Sequence, residues 1–267
     1  MSQKASLNSK KWVLITGASE GIGKQLSYLF AKDSYSLLLV ARNQKKLSSL
    51  AQELSSKYSS QVKIFPQDLT LPNSAQSIYN YTQKEKISVH VLVNNAGFGT
   101  HGLFHKLDLS RELELIDLNI KALVSLTHHF LPQMLKLKSA YILNISSVAA
   151  FAPGPLMASY YASKAFVLSF SQALSQELNH TSLSVTTFCP GPTTTSFFKN
   201  ANMQESRLTS SLFSQSAQSV ALAAYKAMFS RDRLSIPAFK NQITVFFFRF
   251  LPRKILLPLL FRFQKSK

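Results

Sequence analysis

Tyr160 and Lys164 lie four residues apart in Tyr160-Tyr161-Ala162-Ser163-Lys164, a spacing that places both side chains on one face of a helix. An ammonium beside a phenol favours the phenolate and lowers a pKa that starts near ~10. A tyrosine so placed can give or take a proton near neutral pH. The spacing alone is weak, because Tyr28 and Lys32 share it and read as a helix-surface pair. Tyr161 does not qualify, since Ala165 follows it at the fourth position. Context separates Tyr160 from Tyr28: Ser147, a hydroxyl at the end of an apolar strand, precedes it by thirteen residues.

A second chemical signal stands near the start. Thr16-Gly17-Ala18-Ser19-Glu20-Gly21-Ile22-Gly23 follows the apolar run Trp12 to Thr16 and opens a helical stretch. Glycines there allow a tight turn and close backbone approach to a pyrophosphate. The helix N-terminus adds free N–H groups and partial positive charge. Gly17, Ser19, Glu20, Gly21, Ile22 and Gly23 are thus candidate dinucleotide-binding residues. An acidic residue about 20 positions later would hold a ribose 2′-hydroxyl and repel a 2′-phosphate. This chain has Val40-Ala41-Arg42-Asn43, and Arg42 suits a 2′-phosphate. NADP(H) is the expected cofactor, with NAD(H) a second choice.

The elements that must position these groups alternate along the chain. Strands are predicted at Trp12 to Thr16, Ser36 to Val40, Val62 to Phe65, Val89 to Val93, Ala140 to Ile145 and Ser184 to Cys189. Helices are predicted at Gly21 to Ala31, Gln44 to Lys57, Ser74 to Lys84, Arg111 to Leu135 (broken in its last turn by Pro132) and Ser159 to Asn179. A further helix is expected at Ser216 to Arg231 and a seventh strand within Arg233 to Pro237. Continuous apolar strands separated by helices indicate a parallel sheet covered on both faces, doubly wound.

Composition bounds the partners. The chain has 267 residues, 46% of them hydrophobic, enough for one well-buried α/β domain. Cys189 is its one cysteine, which excludes an internal disulfide, and no Cys/His cluster suggests a metal. The polar stretch Met1 to Lys11 lacks the apolar core of a secretory signal, and no run approaches a bilayer span. A cytoplasmic setting is expected. Thirty basic against 12 acidic residues make the formal charge +18. That field attracts a phosphorylated cofactor or anionic lipid, or is simply a solvated surface; no nucleic-acid motif accompanies it.

Four motifs in order resemble the short-chain dehydrogenase/reductase family: Thr-Gly-x-x-x-Gly-x-Gly, Asn94-Asn95-Ala96-Gly97, the strand-end serine and Tyr-x-x-x-Lys. The match runs from about Lys11 to Thr195. The resemblance implies a Rossmann-type fold with a mostly parallel, about seven-stranded sheet. It implies that Ser147 polarises a substrate carbonyl, that Tyr160 protonates it as hydride arrives, and that Lys164 binds the nicotinamide ribose. It implies that Asn119 holds a water of the proton relay. Asp68, with Leu69, would contact adenine, or Asp68 would cap the next helix. Asn95 would support the sheet beside the adenine ribose, with Ala96 and Gly97 along the cofactor. Pro190 and Gly191 follow strand six, and Thr195 would bond the carboxamide, with Thr193 and Thr194 near enough to compete. Glu20 counts against NADP, because NADP-binding relatives often carry a basic residue there. Asn-Asn-Ala-Gly-Phe-Gly and Pro-Gly-Pro-Thr-x-Thr-x-Phe-Phe further resemble a bacterial DltE-like group.

The resemblance implies an NADP(H)-dependent oxidoreductase acting on an apolar carbonyl or secondary alcohol; the alternatives are an idle NADP(H) sensor and a membrane-surface protein. A homodimer or homotetramer is implied as well. Residues 1–240 are read as one domain, with a substrate-covering loop at about 192–213. Phe197, Phe198, Met203 and Leu208 of that loop, with Phe98 and Phe151, would make the pocket apolar. The tail, 241–267, interleaves apolar residues with Arg249, Arg253, Lys254 and Arg262. It suits either peripheral membrane contact or packing against protein, and Pro252 and Pro258 are expected to break any spanning helix.

Overall fold

A computed structural model describes residues 10–195, 197 and 214–265. Its strands are β1 (Trp12–Thr16), β2 (Ser36–Ala41), β3 (Val62–Pro66), β4 (Val89–Asn94), β5 (Ala140–Ile145), β6 (Leu183–Phe188), β7 (Thr193–Thr194), β8 (Gln215–Ser216) and β9 (Leu234–Ser235). Seven of them form one sheet in the order β3-β2-β1-β4-β5-β6-β9, every pair parallel. The short β7 and β8 pair separately. The architecture is α/β, as the alternation of elements predicts.

The helices are α1 (Gly21–Lys32), α2 (Gln44–Tyr58), α3 (Ser74–Lys84), α4 (Leu109–Ile116), α5 (Leu123–Met134), α6 (Ala158–Glu177), α7 (Ala217–Phe229), α8 (Phe239–Phe250) and α9 (Arg253–Gln264). They cover both sheet faces. Along β1, Val13 and Ile15 enter a core with Leu26, Phe30, Val220 and Met228. Trp12 and Leu14 enter the opposite core with Leu126, Phe130 and Met134. Every β1 residue is therefore buried, which is why the run reads as continuous rather than alternating.

One expectation about proline, that Pro132 breaks its helix, is corrected. The helix predicted at Arg111 to Leu135 begins earlier, at Leu109, where the Asp108 carboxylate accepts from Ser110 N. A π-helical segment, Asp117–Ala122, joins α4 to α5, and Pro132 lies inside the last turn without ending it. Fully buried Phe130 and Met134 flank that proline and hold the turn against one lost hydrogen bond. Pro258 likewise lies inside α9, between buried Leu256 and Leu260, while Pro252 caps it. Among the described residues no helix is long and apolar enough to cross a membrane.

From β1 the chain winds outward through β2 and β3, then crosses to β4 on the other side of β1. The loops after β1 and β4 diverge there, and such a switch point opens a crevice at the carboxyl ends of the strands.

Candidate active site

A cavity of about 790 Å³ occupies that crevice, from Gly17 and Arg42 at one end to Phe263 and Gln264 at the other. The glycine turn forms its first wall. Gly17 has φ +64°, and a Cβ there would lie 2.8 Å from Asn95 Nδ2 and 3.0 Å from Ala96 Cα. A Cβ on Gly23 would overlap the Gly17 carbonyl, so Gly23 packs beneath the turn and does not line the cavity, unlike Ser19, Glu20, Gly21 and Ile22. Glu20 stands at the N-cap of α1 with its side chain turned away from the capping N–H groups, and the first turn of α1 carries no acidic residue. Backbone, an open helix N-terminus and no competing carboxylate in the first turn fit a pyrophosphate.

Asn95 and Thr16 lock this wall. Asn95 Nδ2 donates to the Thr16 and Gly17 carbonyls at 2.9 and 3.2 Å. Thr16 Oγ1 accepts from Asn95 N and Ala96 N and donates to Val93 O. At the far edge Arg42 is exposed and 3.8 Å from Asp68. Asp68 holds Thr70 through its backbone N and hydroxyl; α3 begins later, after Asn73, so Asp68 does not cap it. Leu69, Ala96, Gly97, Pro190, Gly191, Thr193 and Thr195 also line the cavity. The Thr193 hydroxyl is engaged with Gly191 O, whereas Thr195 faces Gly21 across the cradle.

Lys46 is a cavity residue that the motifs did not single out. It lies in the first turn of α2 and pairs with Glu20 at 3.0 Å. Its cation offsets the carboxylate that argued against a phosphorylated ribose. A lysine early in a helix carries no sequence signal of its own, so only the fold brings it to Arg42.

Ser147, Tyr160 and Lys164 meet in the middle of the cavity. Ser147 follows β5 in extended backbone and caps the next 3-10 turn, its Oγ accepting from Ala149 N at 3.1 Å. Tyr160 is in the first turn of α6 and lines the cavity beside Ser147, whose hydroxyl donates to Pro190 O at 3.5 Å. Lys164 Nζ donates to Ile145 O at 3.0 Å and stands 5.8 Å from the Tyr160 ring centre. Burial pushes the Tyr160 phenol up to about 12, against a smaller downward pull from Ser147. Burial pushes the Lys164 ammonium down to about 8. Burial dominates the Tyr160 phenol in this structure, and the Lys164 ammonium donates to a backbone carbonyl instead.

Asn119 sits in the π segment, a feature frequent at functional sites, and is buried. Its amide accepts from Phe98 N and donates to Phe98 O and Ser163 Oγ. It clamps the loop after β4 to α6. Tyr28, by contrast, donates to Glu53 at 2.7 Å, far from the cavity and not toward Lys32. Cys189 is buried and its thiol is pushed up to about 12 by burial, as expected of an inert side chain.

The remaining end is apolar. Phe98 lines it, with the Arg111 guanidinium stacked 3.8 Å from its ring centre. Phe197 lies 5.1 Å from the Tyr160 ring. Phe151, expected in the pocket, does not line it: the 3-10 turn Val148–Phe151 points Val148 and Ala149 inward instead. Phe198, Met203 and Leu208 lie outside the described residues. Met157, Tyr161, Phe248, Leu260 and Phe263 complete the wall and were not anticipated. Tyr161 accepts from Gln264 Nε2 at 2.8 Å, and His101 Nε2 meets Gln264 O at 3.0 Å, so the second tyrosine anchors the tail. Phe248, Leu251, Leu256 and Leu260 pack on Ala152. One face of the tail therefore belongs to the domain.

With this geometry, residues 11–206 match the short chain dehydrogenase family, and the chain belongs to it. The chain is similar to the very-long-chain 3-oxoacyl-CoA reductase of Phaeosphaeria nodorum, 37% identical over 62% of this chain and 50% of the relative. It thus spans half the length of that relative. It is also similar to 17-beta-hydroxysteroid dehydrogenase type 3 of Mus musculus, 34% identical over 80% of this chain and 70% of that one. Among solved structures, a short-chain dehydrogenase from Sphingobium yanoikuyae in complex with NADPH is 32% identical with a TM-score of 0.80, covering 86% of this chain and 88% of that one.

Proposed function

We propose that this protein is an NADP(H)-dependent oxidoreductase acting on an apolar carbonyl or the matching secondary alcohol, with Tyr160 as general acid and base. The observation that carries it is that Ser147, Tyr160 and Lys164 line one cavity between a phosphate-compatible cradle and an apolar chamber. The glycine turn, Arg42 and Lys46 would hold NADPH, whose chemistry there would be hydride supply. Ser147 and Tyr160 both present hydroxyls to the substrate oxygen. The buried Tyr160 phenol is protonated at neutral pH and would be the proton source as negative charge develops on that oxygen. Lys164 keeps a cation behind the phenol, and Asn119 fixes the loop that carries Phe98.

The named relatives act on acyl-CoA and steroid substrates, which supports a bulky, apolar carbonyl here. They favour kinship with such enzymes over the DltE-like grouping. The NADPH complex of a 32% identical structure supports the cofactor choice. A homodimer or homotetramer in a cytoplasmic setting completes the reading. Replacing Tyr160 by Phe is the test. NADPH oxidation over a panel of apolar ketones should fall by about a thousandfold while NADPH affinity changes little. Turnover that survives in Tyr160→Phe would sink the assignment. Saturable NADPH binding without turnover by the unaltered chain, on every ketone, would favour the idle sensor.

A further inference from the structure

We infer that the outer face of α8 and α9 is a docking surface for a bilayer that carries anionic lipid. The inner faces of these helices are occupied: Thr244, Phe248, Leu260 and Phe263 line the cavity. The outer face is not. Phe239, Ile243, Phe246, Phe247 and Phe250 are all exposed, Phe239 to 76% and Phe250 to 65%. Their spacing of four, three, one and three residues makes one stripe along α8. Ile255 and Leu259 continue the exposed apolar surface on α9 at a spacing of four. Single exposed apolar side chains are ordinary, but a stripe of seven on two consecutive helices marks an interaction site.

Charge selects the occupant. Residues 233–267 contain eight lysines and arginines and no aspartate or glutamate. Arg249, Arg253, Lys254 and Arg262 are exposed among the apolar side chains, and none forms an ion pair with an acid among the described residues. A second copy seated on this face by a two-fold axis would set arginine against arginine with no carboxylate between them. An anionic lipid surface satisfies both components, since rings enter the headgroup boundary while cations meet phosphates. Neither helix is built to cross a bilayer, so the contact is peripheral. The helices that would lie on the lipid also wall the apolar end of the cavity, which places the substrate chamber beside the membrane; this last step rests on the reductase reading, whereas the docking does not.

The experiment is co-sedimentation of the full chain with phosphatidylcholine vesicles, with and without phosphatidylglycerol. The unaltered chain is expected to sediment with the anionic vesicles and to be released by salt. Phe246→Ser, Phe247→Ser and Phe250→Ser combined should weaken that partition by about tenfold or more. Arg249→Glu with Arg253→Glu should abolish the preference for phosphatidylglycerol. None of these side chains lines the cavity, so NADPH binding and thermal unfolding serve as controls on folding. A chain that stays in the supernatant, or a triple variant that binds as well as the parent, overturns the inference. So does a triple variant that changes only the oligomeric state, which would assign the face to a second copy. Partition is read without turnover, so its failure is distinguishable from failure of the reductase reading.

Discussion

At its nucleotide end the cavity is walled by glycines, backbone and short polar side chains from the ends of β1, β2 and β4. At its substrate end it is walled by Phe98, Met157, Phe197, Phe248 and Leu260, drawn from five separate stretches of chain. The first wall is held by part-buried hydrogen bonds among Thr16, Asn95 and Ala96. The second is held by side-chain packing and by the polar ties of Gln264 to Tyr161 and His101. Backbone geometry tolerates almost no substitution, because nothing flexible can yield. Apolar packing tolerates many, because volume and patterning suffice. The nucleotide wall should therefore respond to single changes by collapse, and the substrate wall by retuning.

The severest test of that contrast is Gly17→Ala. Its φ of +64° disfavours any side chain, and the added Cβ meets backbone at Ala96 as well as the Asn95 amide. NADPH affinity is expected to fall by about a thousandfold, read by fluorescence titration, with lowered thermal stability. A mild effect would mean that the cradle is more pliable than its hydrogen bonds imply.

Lys164, between the two walls, gives a pH test. Its ordinary pKa of 10.5 drops to about 8 on folding, because burial penalises the ammonium. Between those values the unfolded chain holds a proton that the folded chain has lost, so this group adds stability as pH rises through the window. Relative to Lys164→Met, the unaltered chain should gain roughly 3 kcal/mol between pH 8 and 10.5, measured by denaturant unfolding without cofactor. A constant difference across that range would place the ammonium in a wetter setting than the structure does.

Arg42→Asp should cost less. The arginine is exposed and shared with Asp68, so losing its contact to a 2′-phosphate is worth about 2 kcal/mol. The KM for NADPH should rise by about thirtyfold while that for NADH improves. Lys46→Ala should move the ratio the same way by less. Unchanged cofactor preference would break the assignment of this edge to the 2′-phosphate.

The same contrast explains what the sequence showed in advance. The nucleotide wall was legible because its requirements are local: a strand, a turn needing glycines, and a helix follow one another without a gap. Ser147 and Tyr160 were legible because a strand end and a helix bracket them. The substrate wall depends on which face each ring presents after distant segments meet. Phe151 and Phe197 are indistinguishable by residue type and motif proximity, yet only Phe197 reaches Tyr160. The tail is apolar on both sides, so no periodicity reveals that Leu256 and Leu260 turn inward while Ile255 and Leu259 turn out. Lys46 escaped notice for a related reason: an exposed lysine becomes informative only when Glu20 and Arg42 stand beside it.

The polar tie at the far end offers the smallest and most discriminating effect. Gln264 is buried, donates to the Tyr161 hydroxyl, and has its backbone carbonyl held by His101. Tyr161→Phe deletes only the acceptor and leaves the ring that packs over Gly154. A neutral hydrogen bond of this kind contributes about 1 kcal/mol, so α9 should loosen without unfolding the domain. If the tail is part of the substrate wall, the KM for a bulky ketone should rise by about fivefold while the KM for NADPH stays constant. A matched rise in both would show that the two ends of the cavity are mechanically coupled. The distinction between a rigid nucleotide wall and a tunable substrate wall would then have to be abandoned.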